Sequence, residues 1–294
     1  MIDQDLLSER FETNRAHLQQ VAYRMLGSLS EAEDAVQEAW LRLSRADGVD
    51  IENPGGWLTT VVARICIDML RSRKSRQEES LEARVPEPIV TGFGGVNPEQ
   101  EAMLADSVGL AMLVVLDTLT PAERIAFVMH DMFDLPFEEI AAMLGRTPQA
   151  TRQLASRARR RVQGAPSAPD KDLARQREVV DAFLAASRSG DFDALVAVLD
   201  PQVVLRADAG AGSAESKIVR GARVVAGQAA RFRQVVGSAV PALVNGAAGV
   251  VTWLPNGEPF SIVSFTVAGG KVVAMDIFAD PARVPALVPP DLRG

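Results

Sequence analysis

The chain has 294 residues, 47% apolar and 23% charged, a balance that fits folded globular protein rather than disorder. At roughly 100–200 residues per domain it has length for two or three domains, and no apolar run approaches the ~20 residues that span a bilayer. The polar start Met1-Ile-Asp-Gln-Asp5 leads us to expect no secretory leader, the lone Cys66 excludes an internal disulfide, and His17 and His130 have no zinc-ligand spacing.

These features lead us to expect a cytoplasmic protein with no membrane segment, no metal and no cofactor. The net charge of −7 conceals strong local differences. Residues 61–76 carry +4, from Arg64, Arg71, Arg73, Lys74 and Arg76 against Asp68. Residues 152–161 carry +5, from Arg152, Arg157, Arg159, Arg160 and Arg161. Residues 1–60 and 77–151 carry −6 and −10. Two cationic segments in an anionic chain suit two polyanion contacts and an acidic face for another partner; each run alone reads equally well as a solvated helix end.

In chain order, Leu18, Val21, Ala22, Met25 and Leu26 predict a helix closed by Gly27. Ser30 and Glu33 match a capping box opening a second helix, with Ala35, Val36, Ala39, Trp40 and Leu43 inward. The turn-rich stretch 47–56 follows. Leu58, Val61, Val62, Ile65, Met69 and Leu70 then stripe a third helix, with Arg64, Asp68 and Arg71 on one face, where Asp68 can pair with either arginine. Residues 77–98, mixing acid, proline and glycine, read as an acidic linker. Gly92-Phe-Gly-Gly95 lacks the lysine of a phosphate loop. Thr120-Pro-Ala-Glu123 is a second capping box, for a helix running to about Met132. A short helix follows Pro136 and ends at Gly145. Another starts at Thr147-Pro148 and contains the second basic run, giving a helix-turn-helix pattern. Residues 163–172 are a second linker. Beyond it, two helices precede a strand at Val203–Leu205. Three strands at 249–254, 259–267 and 271–278 are separated by Asn256-Gly257 and Gly269-Gly270, which favour tight hairpins. This predicts an α+β domain, helices first and a curved antiparallel sheet after.

In a helix-turn-helix, the N-terminal half of the second helix reaches base edges while flanking cations hold phosphates. Gln149, Arg152, Gln153 and Ser156 are the candidate readers; Leu154 and Ala158 face the core. The two helical blocks then become recognisable together. Glu33-Asp-Ala-Val-Gln-Glu-Ala-Trp-Leu-Arg-Leu43 and Asn53-Pro-Gly-Gly-Trp-Leu58, with Arg64 and Asp68-Met-Leu-Arg71, resemble region 2 of extracytoplasmic-function (ECF) sigma factors. Leu119-Thr-Pro-Ala-Glu-Arg124, Phe137-Glu-Glu-Ile-Ala141 and Ser156-Arg-Ala-Arg159 resemble region 4. The resemblance implies that Asp34, Gln37, Glu38 and Leu41 dock on RNA polymerase core. It implies that Asn53, Trp57, Arg64, Arg71, Arg73 and Lys74 serve the promoter −10 element, and that Gln149, Arg152, Gln153, Ser156, Arg157 and Arg160 serve the −35 duplex. The acidic linker would thread the polymerase's nucleic-acid channel. Trp40 and Trp57 read as core residues at least as readily as contacts.

The last block resembles the SnoaL-like domain of the NTF2-like superfamily, as found in SigJ-like sigma factors. That subgroup carries a glycine-rich aspartate motif and an Asn-Pro motif. Here these stand as Asp208-Ala-Gly-Ala-Gly212 and Ala279-Asp-Pro-Ala-Arg283, both departing in detail. They make Asp208, Asp280 and Arg283 candidates for a regulatory interface. The expected organisation is multidomain: region 2 at 1–76, linker 77–98, region 4 at 99–162, linker 163–172, and an α+β SnoaL-like regulatory cone at 173–294. The expected partners are RNA polymerase core enzyme and promoter DNA, with room for an unidentified small ligand in the cone. Residues 164–294 contain no Tyr, His or Cys, so no catalytic residue is expected. The rival readings are an autonomous helix-turn-helix regulator, and a small-molecule enzyme acting through the last domain.

Overall fold

A computed structural model describes residues 4–45, 53–76, 84–92, 109–163, 170–210, 213–233 and 235–292. The chain divides into two compact units, Met1–Glu79 with Val115–Gly164, and Ser80–Val114 with Ala165–Gly294.

The first unit contains helices α1 (Gln4–Leu26), α2 (Leu29–Ser44) and α3 (Pro54–Arg76), which pack on one another through Leu18, Met25, Val36, Ala39, Leu58 and Val62, all buried. α2 is amphipathic: Ala32, Ala35, Val36, Ala39 and Leu43 are buried and the opposite stripe is polar. Its cap differs from the sequence expectation. Ser28, not Ser30, accepts the Glu31 N–H at 3.3 Å, because the helix starts two residues earlier than that pattern implied. Ser-Leu-Ser-Glu31-Ala-Glu33 offers two overlapping Ser-x-x-Glu frames, and burial of Ala32 selects the earlier one.

Helix α4 (Leu110–Asp117) precedes α5 (Pro121–Phe127), which continues as a π-helical turn over Val128–Met132. The Thr120–Glu123 capping box is fully formed. α6 (Phe137–Leu144) ends at Gly145 with φ 62°, a left-handed conformation a side chain would strain. α7 (Pro148–Gln163) follows, with Thr147 Oγ1 accepting the Ala150 N–H at 3.2 Å. Leu154, Ala155 and Ala158 are buried, and Leu154 and Ala155 form a small core with Ala126, against which Phe137 and Leu144 pack.

The second unit is built on a seven-stranded sheet with helices packed against it. α8 (Leu173–Ser189) and α9 (Phe192–Val198) precede β2 (Leu199–Asp208), β3 (Lys217–Arg220), α10 (Ala222–Phe232), β4 (Ser238–Val244), β5 (Ala247–Trp253), β6 (Pro259–Ala268) and β7 (Lys271–Phe278). With β1 (Val90–Thr91), the strand order is β1-β4-β5-β6-β7-β2-β3. α11 (Val284–Leu287) closes the chain's last segment. Val180, Phe183, Leu195, Leu205, Val225, Val250 and Phe265 form its core with their neighbours. The three strands expected near the end are present, and the turns at Asn256-Gly257 and Gly269-Gly270 separate them.

Two features differ from the sequence reading. The sheet is mixed, not antiparallel throughout: β2 pairs parallel with β7. β2 is first in order yet lies next to the last strand, a pairing no local pattern encodes. The second difference is the segment expected as an open linker. Residues 85–92 are buried, with Val90 and Thr91 adding an edge strand to β4. Val85, Ile89 and Val90 supply the apolar side chains, and Pro86 and Pro88 have no N–H to leave unsatisfied.

Candidate nucleic-acid interface

The recognition-helix candidate is α7. Gln149, Arg152, Gln153, Ser156, Arg157 and Arg160 are all exposed, at positions that recur every three or four residues, so the fold presents them on one face. The buried Leu154, Ala155 and Ala158 fix the opposite face. Arg152 is propped rather than free: its Nη2 donates to Glu138 Oε1 at 2.9 Å, and its guanidinium lies 5.4 Å from the Phe137 ring centroid. Both pair members are more than half exposed, so the bridge is readily exchanged for another partner. Arg160 bonds within its own helix, to the Ser156 carbonyl at 3.5 Å.

Two further cations of this run anchor the domain. Arg159 pairs with Asp131 at 2.6 Å, and Arg161 with Glu123 at 3.0 Å. Glu123 is the capping-box carboxylate of α5. Burial alone would raise its pKa, but hydrogen bonds from Thr120 and the charges of Arg161 and Arg157 bring it below the usual range. The Glu123 carboxylate thereby ties the start of α5 to the end of α7, fixing the angle at which α7 is offered.

The first basic run is divided similarly. Asn53 Oδ1 accepts the Gly56 N–H at 3.0 Å and starts α3; Trp57 is half-buried on the first turn. Arg64 is exposed, with Nη2 3.5 Å from the Ala142 carbonyl. Arg71 pairs with Asp68 at 3.7 Å, with both side chains mostly exposed, which decides the choice left open by spacing. Arg73 is the structural member: it donates to the Leu26 carbonyl at 3.1 Å and pairs with Glu31, and only 14% of its side chain is exposed. Lys74 is on α3, but its side chain lies outside the described set, as do residues 46–52 of the preceding loop.

On α2, Asp34, Gln37 and Leu41 are exposed and Glu38 is half-buried. They stand at i, i+3, i+4 and i+7, one continuous stripe. Glu38 is held by Arg42 at 2.9 Å, and Leu41 is 43% exposed, an uncovered apolar side chain amid carboxylates. Trp40 packs its ring against Phe11 at a 5.0 Å centroid distance.

Sequence reasoning did not find what joins α1–α3 to α5–α7. Arg124 is 3% exposed; its Nη1 donates to the Met25 carbonyl at 2.8 Å and its Nη2 to Asp117 Oδ1 at 2.5 Å. Phe133 lies edge-on to His17, 5.2 Å between centroids, and under Arg24 at 4.7 Å. His17 Nε2 is 3.3 Å from Thr59 Oγ1, and burial, followed by the Arg24 charge, lowers its pKa below 6.5. An arginine within a helical stretch signals nothing about burial; only the site does.

The regulatory candidates of the second unit all lie near the 84–92 segment. Asp208 Oδ2 accepts the Val85 N–H at 2.9 Å and Oδ1 the Gly210 N–H at 3.0 Å. Arg283 pairs with the buried Glu87. Asp280 accepts the Ala282 N–H at 3.0 Å and stands against Gly210. Asn245, which sequence reasoning missed, completes the set: its Oδ1 accepts the Ile89 N–H at 3.0 Å and its own N–H donates to the Ile89 carbonyl at 2.8 Å. The Asn245-Gly246 turn dipeptide was the available clue, and the structure gives Asn245 the positive φ of 50° such turns use.

Among the described residues no cluster of three metal-ligating side chains exists and no helix is long and apolar enough to cross a membrane. The model for Sigma-70 region 2 matches residues 10–76 and that for Sigma-70 region 4 matches residues 110–162. The chain is 41% identical over 287 residues to the ECF RNA polymerase sigma factor SigJ of Mycobacterium tuberculosis, covering 93% of this chain and 91% of that one. It is 39% identical over 212 residues to the probable ECF RNA polymerase sigma factor SigI of the same species, covering 72% and 73%. The crystal structure of Mycobacterium tuberculosis SigJ superposes with a TM-score of 0.76 at 38% identity, over 94% of this chain and 97% of that one.

Proposed function

The chain belongs to the extracytoplasmic-function family of sigma-70 factors, and from that premise we propose which surfaces carry promoter recognition and how the C-terminal domain governs it. The protein is a sigma factor: it binds RNA polymerase core and directs promoter recognition. It works where polymerase works, in the cytoplasm. The stripe Asp34, Gln37, Glu38 and Leu41 docks on core, with Leu41 as the apolar anchor among carboxylates. Arg64 and Arg71 hold the −10 strand backbone, Asn53 and Trp57 stand at the start of the reading helix, and Lys74 adds charge beyond it. Arg73, committed to Glu31 and Leu26, holds α3 in place and acts on DNA indirectly. On α7, Gln149, Arg152, Gln153 and Ser156 read −35 base edges while Arg157 and Arg160 hold phosphates.

This division of labour requires a change of shape. The −10 and −35 elements stand about 25 base pairs apart by name, roughly 85 Å of duplex at about 3.4 Å per step. The Arg124–Met25 bond and the Phe133 contacts keep the two reading helices in one compact unit. We read this packed state as the free form, which opens when polymerase takes region 2. The C-terminal domain is a non-catalytic regulator: Asp208, Asn245 and Arg283 hold the 84–92 segment between the two sigma regions, and its cavity accepts a small ligand.

The observation that carries the reading is the single exposed face of α7 bearing Gln149, Arg152, Gln153, Ser156, Arg157 and Arg160. Run-off transcription with purified core polymerase tests it, comparing the intact chain with residues 1–164. Both directing initiation from the same start site, at different rates, is the expected result. Equal rates would remove the regulatory role, and no initiation by either form would remove the surface assignments.

A further inference from the structure

The second unit encloses a cavity of about 580 Å³ between α8, α10 and one face of the sheet. That volume falls within the range of small-molecule sites, and at the ~30 Å³ a water occupies in the liquid it has room for on the order of 20 non-hydrogen atoms. Its floor is apolar and buried, built from Phe183, Leu205, Val250, Val263, Phe265 and Met275. The Thr252 hydroxyl in that floor is already bonded to Ser261 at 2.7 Å, so the floor offers little to a polar guest.

The rim is chemically different. Arg188, Glu215, Lys217 and Arg233 line the cavity and are all exposed, marking its mouth. Three cations stand against one carboxylate there, and no ion pair among the described residues joins Glu215 to any of them. Lys217 Nζ is 3.2 Å from Gln228 Oε1, a neutral partner that leaves its charge uncompensated. Arg233 donates to the Arg188 carbonyl at 2.9 Å, which holds its guanidinium over the C-terminal end of α8. Arg188 itself projects from that last turn.

The sheet's carboxylates are turned away from this space. Met275 and Ile277 line the cavity, so Asp276 between them lies on the opposite face, where it pairs with Arg206 at 2.6 Å. Asp208, one position beyond the lining residue Ala207, accepts the backbone N–H groups of Val85 and Gly210. The cavity thus combines a dry apolar floor with a positive mouth and no carboxylate from the sheet.

We propose that this cavity is a binding site for an apolar-bodied small anion, a hydrophobic carboxylate or its equivalent, with the hydrocarbon or ring portion on the Phe183–Phe265 floor and the charged group at Arg188 and Lys217. This rests on the reading that the C-terminal domain takes a small ligand, and adds the ligand's chemical class. Burial of the body supplies affinity, while the mouth charges select the sign and orientation of the head group.

The test uses the full-length chain and the fluorescent anion anilinonaphthalenesulfonate, titrated to establish stoichiometry and then displaced by competitors of equal chain length. The expected result is one site per chain, emptied by decanoate at least ~10-fold more effectively than by decyltrimethylammonium. Charge reversal at two exposed positions, Arg188→Glu with Lys217→Glu, weakens decanoate at least ~5-fold and leaves uncharged decanol unchanged. Ala239→Trp, which fills the cavity from β4, weakens all three. Failure of every amphiphile to bind overturns the ligand reading itself. Equal displacement by the cation and the anion, or indifference to the charge reversal, overturns the anion class alone.

Discussion

Arg152 provides the sharpest test of how α7 reads DNA. In the free protein its Nη2 donates to Glu138 Oε1 at 2.9 Å, but the two side chains are 55% and 63% exposed. A pair so open to solvent contributes about 0–1 kcal/mol to folding. A bidentate arginine–guanine contact contributes about 1–3 kcal/mol of base discrimination, so DNA wins the competition for this guanidinium. Arg152→Ala therefore leaves stability within about 1 kcal/mol of wild type, yet lowers discrimination between the cognate −35 sequence and a single-base variant by between about fivefold and a hundredfold. Glu138→Gln acts in the other direction, freeing the guanidinium and tightening cognate binding by no more than about fivefold. Arg160→Ala serves as the control, because a phosphate contact weakens all sequences alike and lowers the salt dependence by about one released counterion. The measurement is a competition titration of holoenzyme on promoters differing only in the −35 element, at two salt concentrations. Equal loss of discrimination in Arg152→Ala and Arg160→Ala would refute the division into readers and phosphate contacts.

Three further outcomes are expected. Arg283→Ala removes one ion-pair partner of the buried Glu87 and loosens the 84–92 segment, so the Val85 and Ile89 amides exchange hydrogen faster while those of β6 do not; unchanged exchange would show that the ion pair does not hold the segment. Cys66 is fully buried and burial pushes its thiol far up, so a thiol reagent at pH 8 labels the unfolded chain and spares the native one; stoichiometric native labelling would contradict the α1–α3 packing. His17 is held below 6.5 by burial and Arg24, so the neutral imidazole favours the packed joint with Phe133. Its contribution is complete above pH 6.5 and is lost as pH falls through the depressed value. The denaturation midpoint of the region 2–region 4 unit should therefore decline between pH 7.5 and 5.5, and His17→Gln should flatten that decline. An identical decline in His17→Gln would assign the effect to other groups.

Much of this molecule is written locally. The stripe of α2, the Thr120–Glu123 box, the Gly145 stop and the two charged runs follow from residue types at fixed spacing, because helix periodicity and capping act over one or two turns. The same locality makes α7's exposed face readable: if Leu154 and Ala158 face the core, Arg152, Ser156 and Arg160 must face away. Sequence set Arg152 apart as a reader but gave no structural role to any of the other four arginines of 152–161, and there it reached its limit. Which cations are free and which are structural depends on Asp131 and Glu123, more than twenty residues away.

The tertiary structure alone decided the rest. The parallel pairing of β2 with β7, the entry of Val90 and Thr91 at the sheet's edge, and the burial of Arg124 against Met25 each join positions between about 70 and 155 residues apart. No periodicity spans such separations, since what selects the pairing is complementary surface between elements that are already formed. The proline-rich 84–92 stretch shows the consequence most clearly: composition marks it as linker, but a sheet edge with open hydrogen-bonding groups and a carboxylate at Asp208 makes it part of a folded domain.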